Sequence, residues 1–280
     1  MEGQITKVIS NNYTVSVGEK EYICKARGKF RKEKKTPLVG DFVVFDEKNN
    51  YILEIKPRKN ALIRPLVANI DQAFLITSLK EPSLDLNLLD KLLVVMEINK
   101  ITPVICLTKK DKCSKEELEN INQYVSYYKK LGYFVFYNDE LDKIKKQIFG
   151  KTSVFTGQTG AGKSTLLNLL HPHLQLKTGE ISKALNRGKH TTRHVELISM
   201  FDGKVLDTPG FSSLEFKDYT KEEIRNAFVE FSFYPCIYKD CNHIEEKECK
   251  VKQAVQDGKI LKSRYENYKS ILSSKEKNFR

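Results

Sequence analysis

The octapeptide Gly157–Ser164, GQTGAGKS, constrains the fold of this 280-residue chain more than any other segment. It fits the pattern GxxxxGK[ST] and lies between an apolar run, Ser153–Thr156, and a helical pattern, Thr165–Leu170. In that context the glycines let the backbone turn tightly and aim N–H groups at a polyphosphate, beside a helix N-terminus. The sequence therefore predicts a phosphate-binding loop in a parallel sheet, made of Gly157, Gln158, Thr159, Gly160, Ala161, Gly162, Lys163, Ser164 and Thr165.

A second candidate phosphate contact is the segment Asp207–Gly210, DTPG, which ends the predicted strand Lys204–Leu206. Asp207 can hold a water bound to Mg²⁺, and the Gly210 N–H can meet the γ-phosphate, so the segment would sense that phosphate. A simple β-turn explains the same residue types, and both interpretations fit one site. In the phosphate loop, Lys163 is expected to reach the β- and γ-phosphates and Ser164 to bind Mg²⁺.

The segment Thr108, Lys109, Lys110 and Asp111 is the candidate reader of the base, because it ends the apolar strand Pro103–Leu107. An Asp carboxylate accepts two hydrogen bonds side by side from guanine, whereas adenine turns a lone pair toward it. The stem of Lys109 can cover the face of the base. A solvated turn would also be rich in Lys and Asp, but beside a phosphate loop we favour guanine recognition.

The chain divides into three segments of different character. Residues 1–60 read as five short strands separated by turn residues, which suits a closed barrel of the OB type. Residues 61–216 alternate apolar strands with the helical stretches Leu86–Ile98, Lys115–Leu131 and Asp139–Phe149, which predicts a mainly parallel α/β sheet. Residues 217–280 predict helices over Lys221–Phe231 and Cys249–Ser273, around a short Cys/His cluster.

The Cys/His cluster is Cys236, Cys241, His243 and Cys249, four candidate ligands within 14 residues. Such a set on a short polar segment matches a closed tetrahedral Cys₃His site, in which one Zn²⁺ would be structural. Free thiols in a reduced protein are the alternative. Six cysteines in all are too few for a disulfide scaffold, and no signal peptide or membrane span is evident, so we expect a soluble cytoplasmic protein.

Positive charge exceeds negative charge by 12, and two stretches are dense in Lys and Arg, residues 25–35 and 259–280. A barrel with a basic loop suits RNA, because Arg and Lys neutralise phosphates. Phe30, inside the first basic stretch, is expected either to stack on a base or to belong to the barrel core. A solvated basic surface would explain the charge equally well.

The motifs occur in the order TKKD, GQTGAGKS, DTPG, whereas ordinary GTPases begin with the phosphate loop. This order is that of a circularly permuted P-loop GTPase domain. With the barrel before it and the Cys/His segment after it, the chain resembles the ribosome small subunit-dependent GTPase A family over essentially its whole length. The resemblance includes the segments Arg27–Arg31, Pro37–Asp41, Arg64-Pro65 and Val67–Gln72.

The resemblance implies a GTP hydrolase that binds the small ribosomal subunit and its rRNA, assists late maturation, is stimulated by the subunit and leaves after hydrolysis. It implies an OB-type RNA-binding domain over 1–60, the permuted GTPase domain over 61–216 and a helical zinc-binding domain over 217–280. GTP and GDP are the expected ligands, with Mg²⁺, and the chain is expected to act as a monomer without a membrane.

Catalysis is expected to depend on the partner, because Phe211 stands where many GTPases carry the Gln that positions the attacking water. Thr191 or Thr192 is expected to complete the Mg²⁺ shell. His190 is the candidate for positioning water, as the resemblance also suggests, and a solvent-exposed loop His is the alternative.

Two departures from the usual pattern remain: Thr108 replaces the common Asn, which predicts a weaker tether to the phosphate loop, and the fifth guanine-site motif near Asn138-Asp139 is unassigned. The other functions considered are a P-loop ATPase or kinase and an RNA-binding module that uses nucleotide only as a switch. We also expect DTPG to move the zinc domain through residues 211–219.

Overall fold

The computed structural model describes residues 1–33, 35–62, 65–174, 195–207, 214 and 216–277. The N-terminal part is the expected five-stranded barrel, closed by pairing of its first and fourth strands. A short helix, α1 (Lys29–Lys32), follows the third strand, and Phe30 on it is 4% exposed within the core, so the core alternative for Phe30 is confirmed. The strands are β1 (Glu2–Ile9), β2 (Asn12–Val17), β3 (Lys20–Ala26), β4 (Phe42–Asp46) and β5 (Tyr51–Ile55).

The central part is an α/β sheet that forms the platform for the nucleotide motifs. A small hairpin of β6 (Ala61–Leu62) and β7 (Val67–Ala68) leads into it. Five strands run parallel, as the sequence predicts, and their order in the sheet is β10-β9-β8-β11-β13. They are β8 (Gln72–Ser78), β9 (Thr102–Thr108), β10 (Phe134–Tyr137), β11 (Thr152–Gly157) and β13 (Gly203–Asp207). The accompanying helices are α2 (Leu86–Ile98), α3 (Lys115–Lys130), α4 (Leu141–Ile148) and α5 (Lys163–Leu170).

One strand of the central part, β12 (Val195–Met200), was not predicted from the sequence. It pairs antiparallel with β13 on one side and with β1 of the barrel on the other, where Lys7 pairs with Glu196 and Val8 with Val195. A salt bridge of 2.8 Å between Lys7 and Glu196 accompanies this pairing. The barrel and the α/β sheet therefore form one continuous hydrogen-bonded sheet of 11 strands.

The junction between the barrel and the α/β part is a polar clamp. Asp41 is fully buried, and its carboxylate accepts hydrogen bonds from the Nε and Nη2 of Arg58, at 2.7 Å each. Gly40 has φ 94°, and a Cβ there would lie 2.0 Å from the carbonyl oxygen of Ala68. The Nδ2 of Asn69 donates to the carbonyl oxygen of Gly40 at 3.0 Å. Only glycine permits this approach of the two backbones.

In the C-terminal part, both of the helices predicted from the sequence are interrupted. The first predicted helix is α6 (Lys221–Asn226) followed by a 3₁₀ turn, Val229–Phe233. The second is split at Gly258, with φ 70°, into α7 (Lys250–Gln256) and α8 (Lys262–Lys277). None of the helices in the described ranges is both long and apolar enough to cross a membrane.

A buried charge cluster fixes the C-terminal part to the α/β part. Arg264 of α8 is fully buried, and it donates to Glu230 at 2.7 and 3.0 Å and to Asp90 of α2 at 2.8 Å. Tyr128 of α3 donates to Asp90 at 2.7 Å, and the guanidinium lies 4.6 Å from the ring centre of Phe228. Although burial lowers it, the two carboxylates hold the pKa of Arg264 well above its usual value.

Replacement of Arg264 by Leu is expected to lower the free energy of unfolding by about 3–5 kcal/mol, because Asp90 and Glu230 would stay buried without a cation. Lys269→Ala on the same helix is the control, since Lys269 pairs with Glu266 on the surface and is 38% exposed. That change should cost less than about 1 kcal/mol. Urea denaturation measures both, and equal losses would contradict the role of the cluster.

Candidate functional site

The phosphate loop leaves the carboxyl end of β11 through three glycines with positive φ. Gly157 has φ 150°, and a Cβ on it would lie 2.1 Å from the carbonyl oxygen of Ile76 in β8. Gly160 and Gly162 have φ of 78° and 91°. Gly162 caps α5 without a side chain, so nothing in the cap itself competes for the N–H groups of the first helical turn. These groups and the helix dipole favour an anion in the loop.

The TKKD segment is tied directly to the phosphate loop. Thr108 at the end of β9 is buried, and its Oγ1 donates to the carbonyl oxygen of Ala161 at 2.6 Å. The Nζ of Lys109 donates to the carbonyl oxygen of Gly160 at 2.7 Å and also to that of Glu81. Thr108 thus makes the contact with the phosphate loop that an Asn makes in many GTPases. Its short hydroxyl side chain reaches the Ala161 carbonyl, so the longer Asn amide is not needed for this contact. The two motifs converge although 53 residues separate Thr108 from Ala161.

Asp111 lies in a 3₁₀ turn, Lys110–Lys112, just beyond β9. Its side chain is exposed, and no donor among the described residues bonds to its carboxylate. Lys110 packs over the ring of Tyr137, 4.6 Å from the ring centre, at the end of β10. The turn that follows begins at Asn138, whose N–H donates to the Leu107 carbonyl at 2.9 Å. Asn138-Asp139, the segment that the sequence left unassigned as a fifth guanine-site motif, therefore begins beside the strand that carries the TKKD segment.

Of the remaining candidate residues of the nucleotide site, the structure describes Asp207 at the end of β13 but not the others. Asp207 ends this strand and pairs in register with Phe155 of β11, so DTPG starts at the same sheet edge as the phosphate loop. Gly210, Phe211, His190, Thr191 and Thr192 lie outside the described residues.

The four Cys and His residues meet at one point. The Nδ1 of His243 lies 3.5, 3.3 and 3.3 Å from the sulfurs of Cys236, Cys241 and Cys249, and the Cys236 and Cys249 sulfurs are 3.7 Å apart. All four ligand atoms fall within 4.8 Å of one another. Bond lengths typical of zinc predict tetrahedron edges of about 3.8 Å between sulfurs and about 3.6 Å from sulfur to nitrogen. The donor set and its spacing fit a tetrahedral metal ion.

Neighbouring elements hold this cluster in a form suited to a cation. Cys249 caps α7, where its sulfur accepts from the Lys252 N–H at 3.4 Å. Tyr265 of α8 donates to the His243 carbonyl at 2.6 Å. Burial lowers the pKa of His243 to about 4, which keeps the imidazole neutral, and burial raises the pKa of Cys241 to about 12. A bound divalent cation would reverse the effect on the thiol.

Two supporting contacts were not predicted from the sequence. The loop after β8 contacts the TKKD segment, where the Glu81 carbonyl oxygen accepts from the Nζ of Lys109. Arg225 of α6 donates to the Cys241 carbonyl at 3.1 Å. Neither residue belongs to a motif, and both act through or on backbone carbonyls. No pattern in a single sequence marks such contacts.

Comparisons with known proteins agree with this geometry. The sequence model of the RsgA GTPase family matches residues 55–217, and that of the RsgA N-terminal domain matches residues 2–52. The Small ribosomal subunit biogenesis GTPase RsgA of Latilactobacillus sakei is 50% identical over 278 residues, which cover 95% of this chain and 93% of that protein. A relative of the same name, numbered 2, from Listeria monocytogenes is 50% identical over 280 residues, covering 97% and 96%.

Two solved structures are similar over nearly the whole chain. YloQ, described as a circularly permuted GTPase, superposes with a TM-score of 0.81 at 40% identity, covering 99% of this chain and 95% of that one. YjeQ from Thermotoga maritima superposes with a TM-score of 0.84 at 35% identity, covering 98% of each. The description of YloQ as circularly permuted agrees with the motif order found in this sequence. The family models and the relatives show that this chain belongs to the RsgA GTPase family.

Proposed function

We propose that this protein is a Mg²⁺-dependent GTP hydrolase that binds the small ribosomal subunit, assists its late maturation and leaves it after hydrolysis. The observation that carries the proposal is the pair of contacts from Thr108 and Lys109 to the phosphate loop. They bring a base-reading segment and a polyphosphate cradle to one edge of the sheet. Ligands of parallel sheets bind at that edge, beyond the carboxyl ends of the strands.

In this proposal the loop Gly157–Thr165 surrounds the phosphates with backbone N–H groups. Lys163 contacts the β- and γ-phosphates, and Ser164 with Thr191 or Thr192 holds the Mg²⁺ that accompanies GTP. Asp207 and Gly210 respond to the γ-phosphate. The metal ion supplies charge neutralisation between the β- and γ-phosphates.

Guanine is read by the exposed carboxylate of Asp111, while the stem of Lys109 covers the base. The Lys109 Nζ is already bound to two carbonyl oxygens, so its chain is held across the space between the two motifs. A fixed stem lowers the entropy cost of ordering this side chain when the base binds.

The partner is the small subunit and its rRNA, as the names of the relatives suggest. Net charge of +12 and a barrel with a basic loop support contact with RNA. We assign the barrel to residues 1–60, the GTPase domain to 61–216 and the metal-binding domain to 217–280. A monomer that works in the cytoplasm fits this role.

We assign one structural Zn²⁺ to Cys236, Cys241, His243 and Cys249. Four protein ligands leave no open position, so the ion would stabilise the fold and take no part in hydrolysis. The distances between the ligand atoms support this assignment.

Turnover titrated with purified small subunits tests the function. The chain alone is expected to hydrolyse GTP slowly, because Phe211 cannot position water, and subunits should accelerate it. His190→Ala should remove most of the acceleration and leave GDP affinity unchanged, whereas His171→Ala at the end of α5 serves as the control. No acceleration of the wild type would refute the function, and full acceleration of the variant would remove His190 from catalysis.

Asp111→Asn tests base recognition. An Asn amide has an NH₂ donor group in place of one of the two carboxylate acceptors, so it should donate to the 2-oxo group of xanthine and lose a bond to guanine. GTP affinity should fall about 10- to 100-fold, as expected for a lost hydrogen bond to a charged group, and XTP affinity should rise. Competition binding measures both. Asp142→Asn, at a surface position 92% exposed, is the matched control, and wild-type GTP affinity in Asp111→Asn would contradict the assignment.

Metal analysis tests the zinc site. Chelation under reducing conditions should release about one equivalent of zinc and reduce the helicity of residues 217–280. Cys249→Ser should lose the metal, whereas Cys113→Ser, a half-buried thiol outside the cluster, should retain it. A metal-free protein with undiminished helicity would show that the ion is not structural.

A further inference from the structure

The loop between β8 and α2, residues 79–85, lies against both the TKKD segment and the phosphate loop. Its first residue, Leu79, extends the pairing of β8 with β9, because its N–H donates to the Thr108 carbonyl at 3.1 Å. A Cβ on Gly160 of the phosphate loop would lie 3.7 Å from the Cδ of Pro82. We call residues 79–85 the 79–85 loop. The two nucleotide motifs therefore meet a third segment of the chain, which carries no motif of its own.

The 79–85 loop is fixed at both ends. Ser78 is fully buried at the end of β8, and its hydroxyl donates to the Lys80 carbonyl at 2.8 Å. At the other end, the Asp85 carboxylate accepts from the Leu88 N–H at 2.9 Å and caps α2. A loop anchored in this way has little conformational freedom left to lose, so it can position the groups that bind to it.

Asp111 lies between two lysines that are both bound to Glu81. The Nζ of Lys109 donates to the Glu81 carbonyl oxygen, and the ammonium of Lys112 pairs with the Glu81 carboxylate. The Asp111 carboxylate itself is exposed and accepts no bond from a donor among the described residues. Its direction therefore depends on the residues that flank it in the turn.

A third contact ties the start of α3 to the same loop. The Nζ of Lys80 donates to both carboxylate oxygens of Glu117, at 2.9 Å each. The Glu117 carboxylate also accepts from the Ser114 N–H at 2.7 Å, and the Ser114 hydroxyl accepts from the Glu117 N–H at 3.1 Å, which completes a capping box. The turn that carries Asp111 is thus held on both sides by two consecutive residues, Lys80 and Glu81.

The backbone at this contact adopts an unusual conformation. Glu81 and Lys109 have φ of 56° and 60°, in the left-handed region that residues other than glycine rarely occupy. Such a conformation has a free-energy cost and persists only where neighbouring contacts maintain it, which is typical of functional sites. Here the two residues contact each other, through the Lys109 Nζ and the Glu81 carbonyl oxygen.

We propose that Lys80 and Glu81 are positioning residues for base recognition. By binding Glu117 and Lys112, they keep the turn in the arrangement in which the Asp111 carboxylate meets guanine. This inference rests on the proposed function, in which Asp111 reads the base. It deepens that function, because it assigns part of the affinity for guanine to ion pairs that act through Asp111 and not through the phosphates.

GDP binding to the full chain tests the proposal with Glu81→Gln, Glu117→Gln and their combination. Both changes remove a charge and keep the side-chain length, and the new amide at position 117 can still complete the capping box. The combined variant should bind GDP about 3- to 10-fold more weakly, within the range for the loss of two exposed ion pairs. Removal of negative charge would by itself strengthen polyphosphate binding, so charge loss alone cannot explain a fall in GDP affinity.

Pyrophosphate and a second background separate positioning from a general structural role. Pyrophosphate contacts only the phosphate loop, so its affinity should not fall in the combined variant. In an Asp111→Asn background the two changes should alter GDP affinity less than about twofold, because there is no carboxylate left to orient. Glu266→Gln is the matched control, since Glu266 pairs with Lys269 at 2.8 Å on α8 and is 51% exposed. It should leave both affinities unchanged.

Three results would overturn the positioning role: unchanged GDP affinity in the combined variant, an equal fall in pyrophosphate affinity, or the same loss of GDP affinity in the Asp111→Asn background. If Asp111→Asn alone binds GDP as the wild type does, base reading by Asp111 fails and this inference fails with it. A loss of affinity in Asp111→Asn without any loss in the combined variant would refute the positioning role alone and leave the proposed function intact.

Discussion

The hydrogen bond from Thr108 to the Ala161 carbonyl is the contact on which the nucleotide site depends. It joins the ends of β9 and β11, which are separated in the sheet by β8. A site built from backbone and short side chains at strand ends on one edge of a sheet is indifferent to the order in which the strands are synthesised. The permuted order of the motifs therefore leaves the geometry intact, provided that the sheet places the same strand ends together.

A permuted α/β part begins and ends at new positions in the fold, and in this structure both ends are held by contacts with neighbouring parts of the chain. The α/β part begins at the clamp of Asp41, Arg58 and Asn69 against the barrel, and it ends near the C-terminal part, which the Arg264 cluster holds. A fully buried guanidinium between two carboxylates resists separation, because parting them exposes uncompensated charge to a low dielectric. This cluster argues against a free rotation of the C-terminal part relative to α2, which the sequence-based expectation of a domain moved by DTPG would require.

Much of this architecture could be predicted because its determinants are local. The strand runs of the barrel and the sheet have the right composition, and α2 starts and ends where its apolar spacing and the cap at Asp85 place it. The phosphate loop and the cysteine spacing are compact patterns with one physical explanation each. Some of what escaped prediction was decided by distant partners and some by a single local residue. Val195–Met200 is a strand because β1 and β13 flank it, and Gly258 divides a helical pattern that its neighbours favour as continuous.

The same reasoning explains why the junctions were the least predictable parts. Asp41 and Arg58 look like ordinary turn and linker residues, and only the fold shows that one buries its charge against the other. Pairing of Val8 with Val195 has a further physical consequence, because β12 directly follows the segment that contains His190, Thr191 and Thr192 in sequence. A displacement of β1 relative to the α/β sheet must either break this pairing or carry β12 with it. The barrel that is proposed to meet RNA is therefore mechanically joined to the strand three residues beyond Thr192.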